Sequence, residues 1–192
     1  MVYFYSMICS IKLFKMKKIY LVITALTICQ FLSAQKLANQ PATDTANASA
    51  PYMRYPTIPP FHLLKLDSAT YLTKDSIRKN RKTIFMYFSP TCEHCKHQTE
   101  AILADFKDFK DIEIVMATYM PFDEMKEFDE HYKIYEHPNI KVGRDEKMLM
   151  PAFYRILNLP YLALYDRKGN LITTFEGTQK TDVLLKAFDA KH

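Results

Sequence analysis

Two stretches of the chain are rich in apolar and aromatic residues. Thr83–Phe88 and Ile112–Ala117 each read as a strand covered on both faces. Between them Ile102, Leu103, Phe106 and Phe109 recur at helical spacing, while Lys96, Glu100, Asp105, Lys107 and Lys110 can face water. That pattern predicts one helix from about Cys92 to Phe109. Pro121 opens a second helix with Asp123 and Glu124 in its first turn, where the helix dipole favours acids. Its apolar face is Phe122, Met125, Phe128 and Tyr132. Ile140–Val142 is a short strand candidate, and Pro151 marks the start of a short helix ending around Leu157. Tyr161–Tyr165 and Leu171–Phe175 flank the turn residues Asp166-Arg167-Lys168-Gly169-Asn170 and read as a hairpin. Thr181 can cap a last helix in which Val183/Ala187 and Leu184/Phe188 are i,i+4 pairs. Upstream, Phe61–Leu66 is a first strand candidate and Lys74–Asn80 a polar, helix-like approach.

The order is βα, βα, then ββα, which predicts an α/β domain with a central mixed sheet over residues 61–192. The residues ahead of it differ in kind. Residues 35–60 hold five prolines (Pro41, Pro51, Pro56, Pro59, Pro60) and no hydrophobic period, and read as a linker or loosely ordered arm. Tyr52 and Tyr55 are available to pack on the domain surface. Residues 1–34 read as a secretory signal peptide: basic Met16-Lys17-Lys18, an apolar run from Ile19 to Cys29, and small Ala34 ahead of Gln35. Met16 is an alternative start, which would make residues 1–15 an upstream extension. An uncleaved membrane anchor is the competing reading. Lipidation at Cys29 is a third, disfavoured by bulky Ile28 ahead of the cysteine.

Charge changes the picture only by where it lies. The formal net charge is +5, yet residues 1–34 carry Lys12, Lys15, Lys17 and Lys18 and no acid. Without them 22 basic residues (26 − 4) face 21 acidic ones. The basicity belongs to the leader, so there is no electrostatic case for a nucleic-acid partner.

The four cysteines divide the same way, Cys9 and Cys29 in the leader and Cys92 and Cys95 in the body. A disulfide between the latter two would close a tiny loop, and chain-entropy stabilisation grows with loop length, so the pair is better explained by chemistry than by support. A thiolate is the attacking species in disulfide exchange, and a helix N-terminus supplies the unpaired N–H groups and positive potential that favour one. Cys92 is therefore the expected nucleophile. Cys95, one turn later, is expected to be less exposed and to resolve a mixed disulfide. His94 between them can support the Cys92 thiolate, and Glu93 opposes it if its charge points at the sulfur.

Phe88-x-x-x-Cys92-x-x-Cys95 after a buried strand, with Leu159-Pro160-Tyr161 ahead of a later strand, resembles the thioredoxin superfamily. The long interval from Ala117 to Pro160, with its extra helix and strand before the proline loop, resembles the TlpA/ResA-type exported thiol–disulfide oxidoreductases. So does the hairpin Leu164–Ile172. The resemblance covers about Phe61 to His192. It implies a thioredoxin-like fold, a cis bond between Leu159 and Pro160 facing the dithiol, and substrate docking on the backbone of Leu159. It also implies exchange with protein thiols and disulfides, a membrane electron-donor or electron-acceptor partner, and no cofactor beyond the Cys92–Cys95 pair. The chain departs from the family at three places. Thr91 stands where thioredoxins often have tryptophan. Met86 stands where they have a buried acid, and Gln98 where ResA-like proteins have a glutamate. Glu93 resembles the ResA-type motif and His94 that of the oxidant DsbA; the overall resemblance favours a reductant.

The same residues invite other chemistries. A c-type haem needs histidine directly after the second cysteine, where Lys96 stands. A peroxiredoxin-like site expects threonine at Ser89. Cys92, Cys95 and His94 or His97 can serve a copper or zinc carrier, although no metal site is expected. A redox-silent binding module on the same fold is the remaining alternative. His62, His131, His137 and His192 read as surface or packing residues.

Overall fold

The computed structural model describes residues 50–189. The leader expected over residues 1–34 and most of the arm expected over residues 35–60 lie outside them. The centre is a seven-stranded mixed sheet. Its strands are β1 (His62–Leu64), β2 (Tyr71–Thr73), β3 (Lys82–Tyr87), β4 (Ile112–Thr118), β5 (Ile140–Arg144), β6 (Tyr161–Tyr165) and β7 (Leu171–Glu176). Their order across the sheet is β2-β1-β5-β4-β3-β6-β7. Strands β3, β4 and β5 run parallel, and β6 and β7 continue one side antiparallel.

The two apolar-rich runs are the middle of this sheet, and each serves two cores. Ile84, Met86 and Phe88 point into one, with Ile112, Ile114, Met116, Leu162 and Leu164 from the neighbouring strands. Phe85 and Tyr87 point into the other, with Val115, Ala117, Tyr161, Ala163 and Tyr165. The period of two along a strand makes this division. Helices α2 (Glu93–Ala104), α4 (Phe122–Tyr132) and α6 (Thr181–Ala187) cover the first face through Cys95, Ile102, Met125, Phe128 and Leu184. The second face is covered by Ile58, Phe61 and α5 (Leu149–Tyr154), through Met150 and Tyr154.

Several elements differ from the sequence reading. The first strand is shorter than Phe61–Leu66 and pairs with β2, which the pattern did not predict. The turn between them is closed by the Asp67 carboxylate, which accepts from the N–H groups of Ala69 and Thr70. The Lys74–Asn80 approach contains only a single 3-10 turn, Lys74–Ser76. The expected Cys92–Phe109 helix is interrupted at Asp105, and a separate turn, α3 (Phe106–Phe109), follows it. The short helix at Pro151 ends at Tyr154, because Arg155 takes a left-handed conformation. Residues 50–60, expected to be linker, pack on the domain. A short helix there, α1 (Pro51–Arg54), sets Tyr52 against Tyr154, with ring centroids 6.0 Å apart. Tyr55 is exposed.

Gly143 is the glycine that close approach requires. A Cβ there would lie 2.7 Å from the Cβ of Leu63 on the antiparallel neighbour β1. Among the described residues, no helix is long and apolar enough to cross a membrane.

Candidate active site

Strands β3 and β4 deliver their C-terminal ends to the same edge of the sheet, and β6 begins there, with Tyr87 opposite Tyr161. The chain leaves β3 through Phe88, whose N–H still bonds the Ala117 carbonyl at 2.9 Å. Ser89 and Pro90 are buried. The Cys92 N–H then turns back to the Ser89 carbonyl at 3.1 Å. Cys92 has extended backbone (φ −84°, ψ 119°) and is the N-cap of α2. Its carbonyl accepts from Cys95 N–H at 3.0 Å and Lys96 N–H at 3.1 Å, which starts the helix. The Cys92 sulfur thus stands at the end of a 12-residue helix where unpaired N–H groups concentrate positive potential.

Cys92 is half-buried and Cys95 is fully buried, and both are thiols in this structure. Burial pushes the Cys95 thiol well above its ordinary value; a hydrogen bond from the Ser89 backbone opposes the shift, and the neighbouring Cys92 adds to it. Beside them the hydroxyls of Ser89 and Thr91 are 3.0 Å apart. Glu93 is exposed, and its carboxylate accepts from Lys96 Nζ at 2.6 Å, which lowers its pKa; His97 and His94 add smaller contributions. His94 is exposed, and its carbonyl accepts from the Thr178 hydroxyl at 3.0 Å. The positions of the missing family acids hold buried neutral side chains. Met86 is core, and Gln98 accepts from Gln179 N–H at 2.7 Å through Oε1 while its Nε2 has no partner.

The Leu159–Pro160 bond is cis. The register of β3 with β6 brings this loop beside the Phe88–Cys92 turn. Leu159 packs against both cores, and neither its N–H nor its carbonyl is hydrogen-bonded within the described residues.

A segment that sequence reasoning missed ties the two halves of the site together. The Glu176 carboxylate accepts from Asn158 Nδ2 at 2.8 Å and from Leu157 N–H at 3.4 Å. Gly177, at φ +76°, donates its N–H to the Pro160 carbonyl at 2.8 Å. Thr178 and Gln179 then bond α2 through His94 and Gln98. Gly177 after the last strand was the one local sign of this strap; its partners are more than 15 residues away in sequence. Among the described residues, no three His, Cys, Asp or Glu side chains gather as a metal site would need.

A thioredoxin-like domain family model matches residues 72–192, more than half of the chain. Solved structures share the fold at low identity. A secreted disulfide oxidoreductase from Mycobacterium tuberculosis, described as homologous to the DsbE of E. coli, is 16% identical with TM-score 0.56, over 68% of this chain and 96% of that one. StoA from Bacillus subtilis is 17% identical with TM-score 0.52, over 69% and 98%. The exposed lipoprotein thioredoxin of Streptococcus pneumoniae is 18% identical with TM-score 0.54, over 68% and 98%. No curated protein matches the chain by sequence. The seven-stranded mixed sheet, the dithiol turn at its edge and the family match lead to one assignment: the chain belongs to the thioredoxin-like domain family.

Proposed function

We propose that this chain is an exported thiol–disulfide oxidoreductase that passes electrons from its Cys92–Cys95 dithiol to disulfides of protein substrates. The observation that carries the reading is the N-cap position of Cys92, with Cys95 buried one turn deeper and the cis Leu159–Pro160 loop alongside. The Cys92 thiolate attacks one sulfur of the substrate disulfide. A Cys92–substrate S–S bond forms, the substrate S–S bond breaks, and the leaving sulfur takes up a proton as a thiol. Cys95 then loses its proton and attacks the Cys92 sulfur. The Cys92–Cys95 disulfide forms, and the second substrate sulfur leaves as a thiol. Two electrons have moved to the substrate, and no cofactor beyond the cysteine pair is needed.

The buried environment of Cys95 keeps it a thiol until this second step. With neutral Met86 and Gln98 at the places of the family acids, its proton leaves through water or the departing substrate sulfur. Glu93, held by Lys96, and exposed His94 tune the potential at the mouth of the site. The free N–H and carbonyl of Leu159 suit an extended substrate strand. The leader and the resemblance to ResA-type proteins support export and the reducing direction. An exported reductant needs a membrane electron donor, because cytosolic reductants do not reach it.

Mixed-disulfide trapping tests the reading. Cys95→Ser should accumulate covalent adducts with disulfide-bearing proteins that dithiothreitol releases, and Cys92→Ser should form none. Equal adducts in both variants, or none in Cys95→Ser, would reject it.

A further inference from the structure

A groove of about 360 Å³ opens beside the dithiol turn. One side is lined by Pro90 and Thr91, the two residues that lead into Cys92, together with Lys96; the other is lined by α4, with Glu124, Glu127, Phe128, His131 and Tyr132. Its base is aromatic. Phe128 packs on Phe88 with centroids 4.8 Å apart and on Tyr132 at 4.6 Å.

The charges in this groove are unbalanced. Oε2 of Glu124 is sealed from solvent and has no hydrogen-bond partner among the described residues. Glu127 is exposed and forms no ion pair among the described residues. Lys96, which lines the groove, is paired with Glu93 at 2.6 Å, and neighbouring Lys126 with Glu130 at 3.9 Å, so neither pairs with Glu124 or Glu127. His131 stands edge-on to Tyr132 at the rim. The Tyr132 hydroxyl donates to Glu100 at 3.2 Å. Burial first, then Glu100 and Glu93, push that phenol up to about 12. A sealed acceptor without a partner is costly, and more so when it is charged.

We propose that this groove is a specificity subsite that takes a lysine or arginine side chain of the polypeptide whose disulfide meets Cys92. The inference rests on the redox reading above and adds a substrate preference to it. The aliphatic stem of the side chain lies on Phe128 and the Tyr132 ring, and the charged head reaches Glu124 and Glu127. Because the wall is formed by the residues just ahead of Cys92, the cation sits close in sequence to the substrate cysteine. A free metal ion is a poorer occupant, since among the described residues no three His, Cys, Asp or Glu side chains gather as a metal site would need.

The test uses short peptides that each hold one cysteine as a mixed disulfide with 2-mercaptoethanol. Lysine, alanine or glutamate is placed at successive positions on either side of it. Exchange rates with the reduced protein are divided by the rate of the same peptide with dithiothreitol, which removes intrinsic effects on the disulfide. At low salt the best lysine peptide should exceed its glutamate counterpart about tenfold, equivalent to about 1.4 kcal/mol. The ratio should fall toward one in the Glu124→Gln, Glu127→Gln double variant and partway in Glu127→Gln, whose exposed position leaves folding intact. A ratio near one in the unsubstituted protein, or a ratio unchanged in the double variant, overturns the subsite. Absence of exchange even with bis(2-hydroxyethyl) disulfide overturns the redox reading instead.

Discussion

Asp129 offers a prediction whose sign and size follow from its place in the fold. It lies on α4 between Phe128 and Glu130 and is 5% exposed. Burial, with a smaller contribution from Glu130, raises its carboxyl from 3.8 to about 6. A raised carboxyl pKa means the folded chain holds that proton more tightly than the unfolded chain. Below about pH 4 both states are protonated and the residue costs nothing. As pH rises from 4 to 6 the unfolded chain releases the proton first, so stability falls, and above 6 the full cost is present. Two units of pKa correspond to about 3 kcal/mol, an upper figure for this site. Asp129→Asn removes the charge and keeps the shape. The variant should therefore be more stable than the parent by about 2 kcal/mol at pH 8, with the difference closing near pH 4. Urea unfolding of both proteins across that range measures it. A difference that does not change with pH, or a variant less stable at pH 8, would refute the assignment of Asp129 as a buried, unpaired carboxylate.

Two further outcomes follow from other parts of the molecule. Glu113 is fully buried in β4, paired with Arg78 at 2.7 Å and with Lys141, and both cations reach solvent. Lys141→Met, which leaves the buried charge with one partner, should cost about 2–3 kcal/mol in denaturant unfolding. Glu113→Leu, which frees the cations to water, should cost less; the reverse order would contradict the reading. Glu176→Ala should lower kcat/KM for a protein disulfide about fivefold by releasing the loop that carries Leu159. Glu176→Gln, which still accepts the bond from Asn158, should retain most of the activity, an expectation built on about 1 kcal/mol per hydrogen bond.

Much of this architecture was legible in residue pattern. The runs at Thr83–Phe88 and Ile112–Ala117 gave the central strands because burial on both faces leaves few polar positions, Thr83 and the ion-paired Glu113, to confuse the pattern. The turn at Asp166–Asn170 announced the last hairpin. The N-cap place of Cys92 and the cis Leu159–Pro160 bond followed from motif and resemblance. Where pattern fell short, the deciding contacts were distant. The break at Asp105 was hidden because Phe106 and Phe109 keep the apolar spacing of the helix before it. Asp105 instead accepts the Thr181 hydroxyl at 2.5 Å, which also turns aside the cap expected of Thr181. Strand β2 has three residues at an edge, too few for a period, although Asp67 marked its turn. The strap from Glu176 to Gln179 and the groove at Glu124 exist only once elements far apart in sequence meet.

The central claim concerns the Cys92–Cys95 couple, and its reduction potential tests that claim most directly. The protein would be equilibrated in glutathione buffers of graded ratio, with Cys92→Ser as control. The expected result is a reversible two-electron couple, lost in the control, at a potential more negative than about −200 mV, on the reducing side of the oxidants in this fold. A potential near −120 mV, that of a strong oxidant, would contradict the reducing direction, and the absence of a reversible couple would contradict the redox function itself.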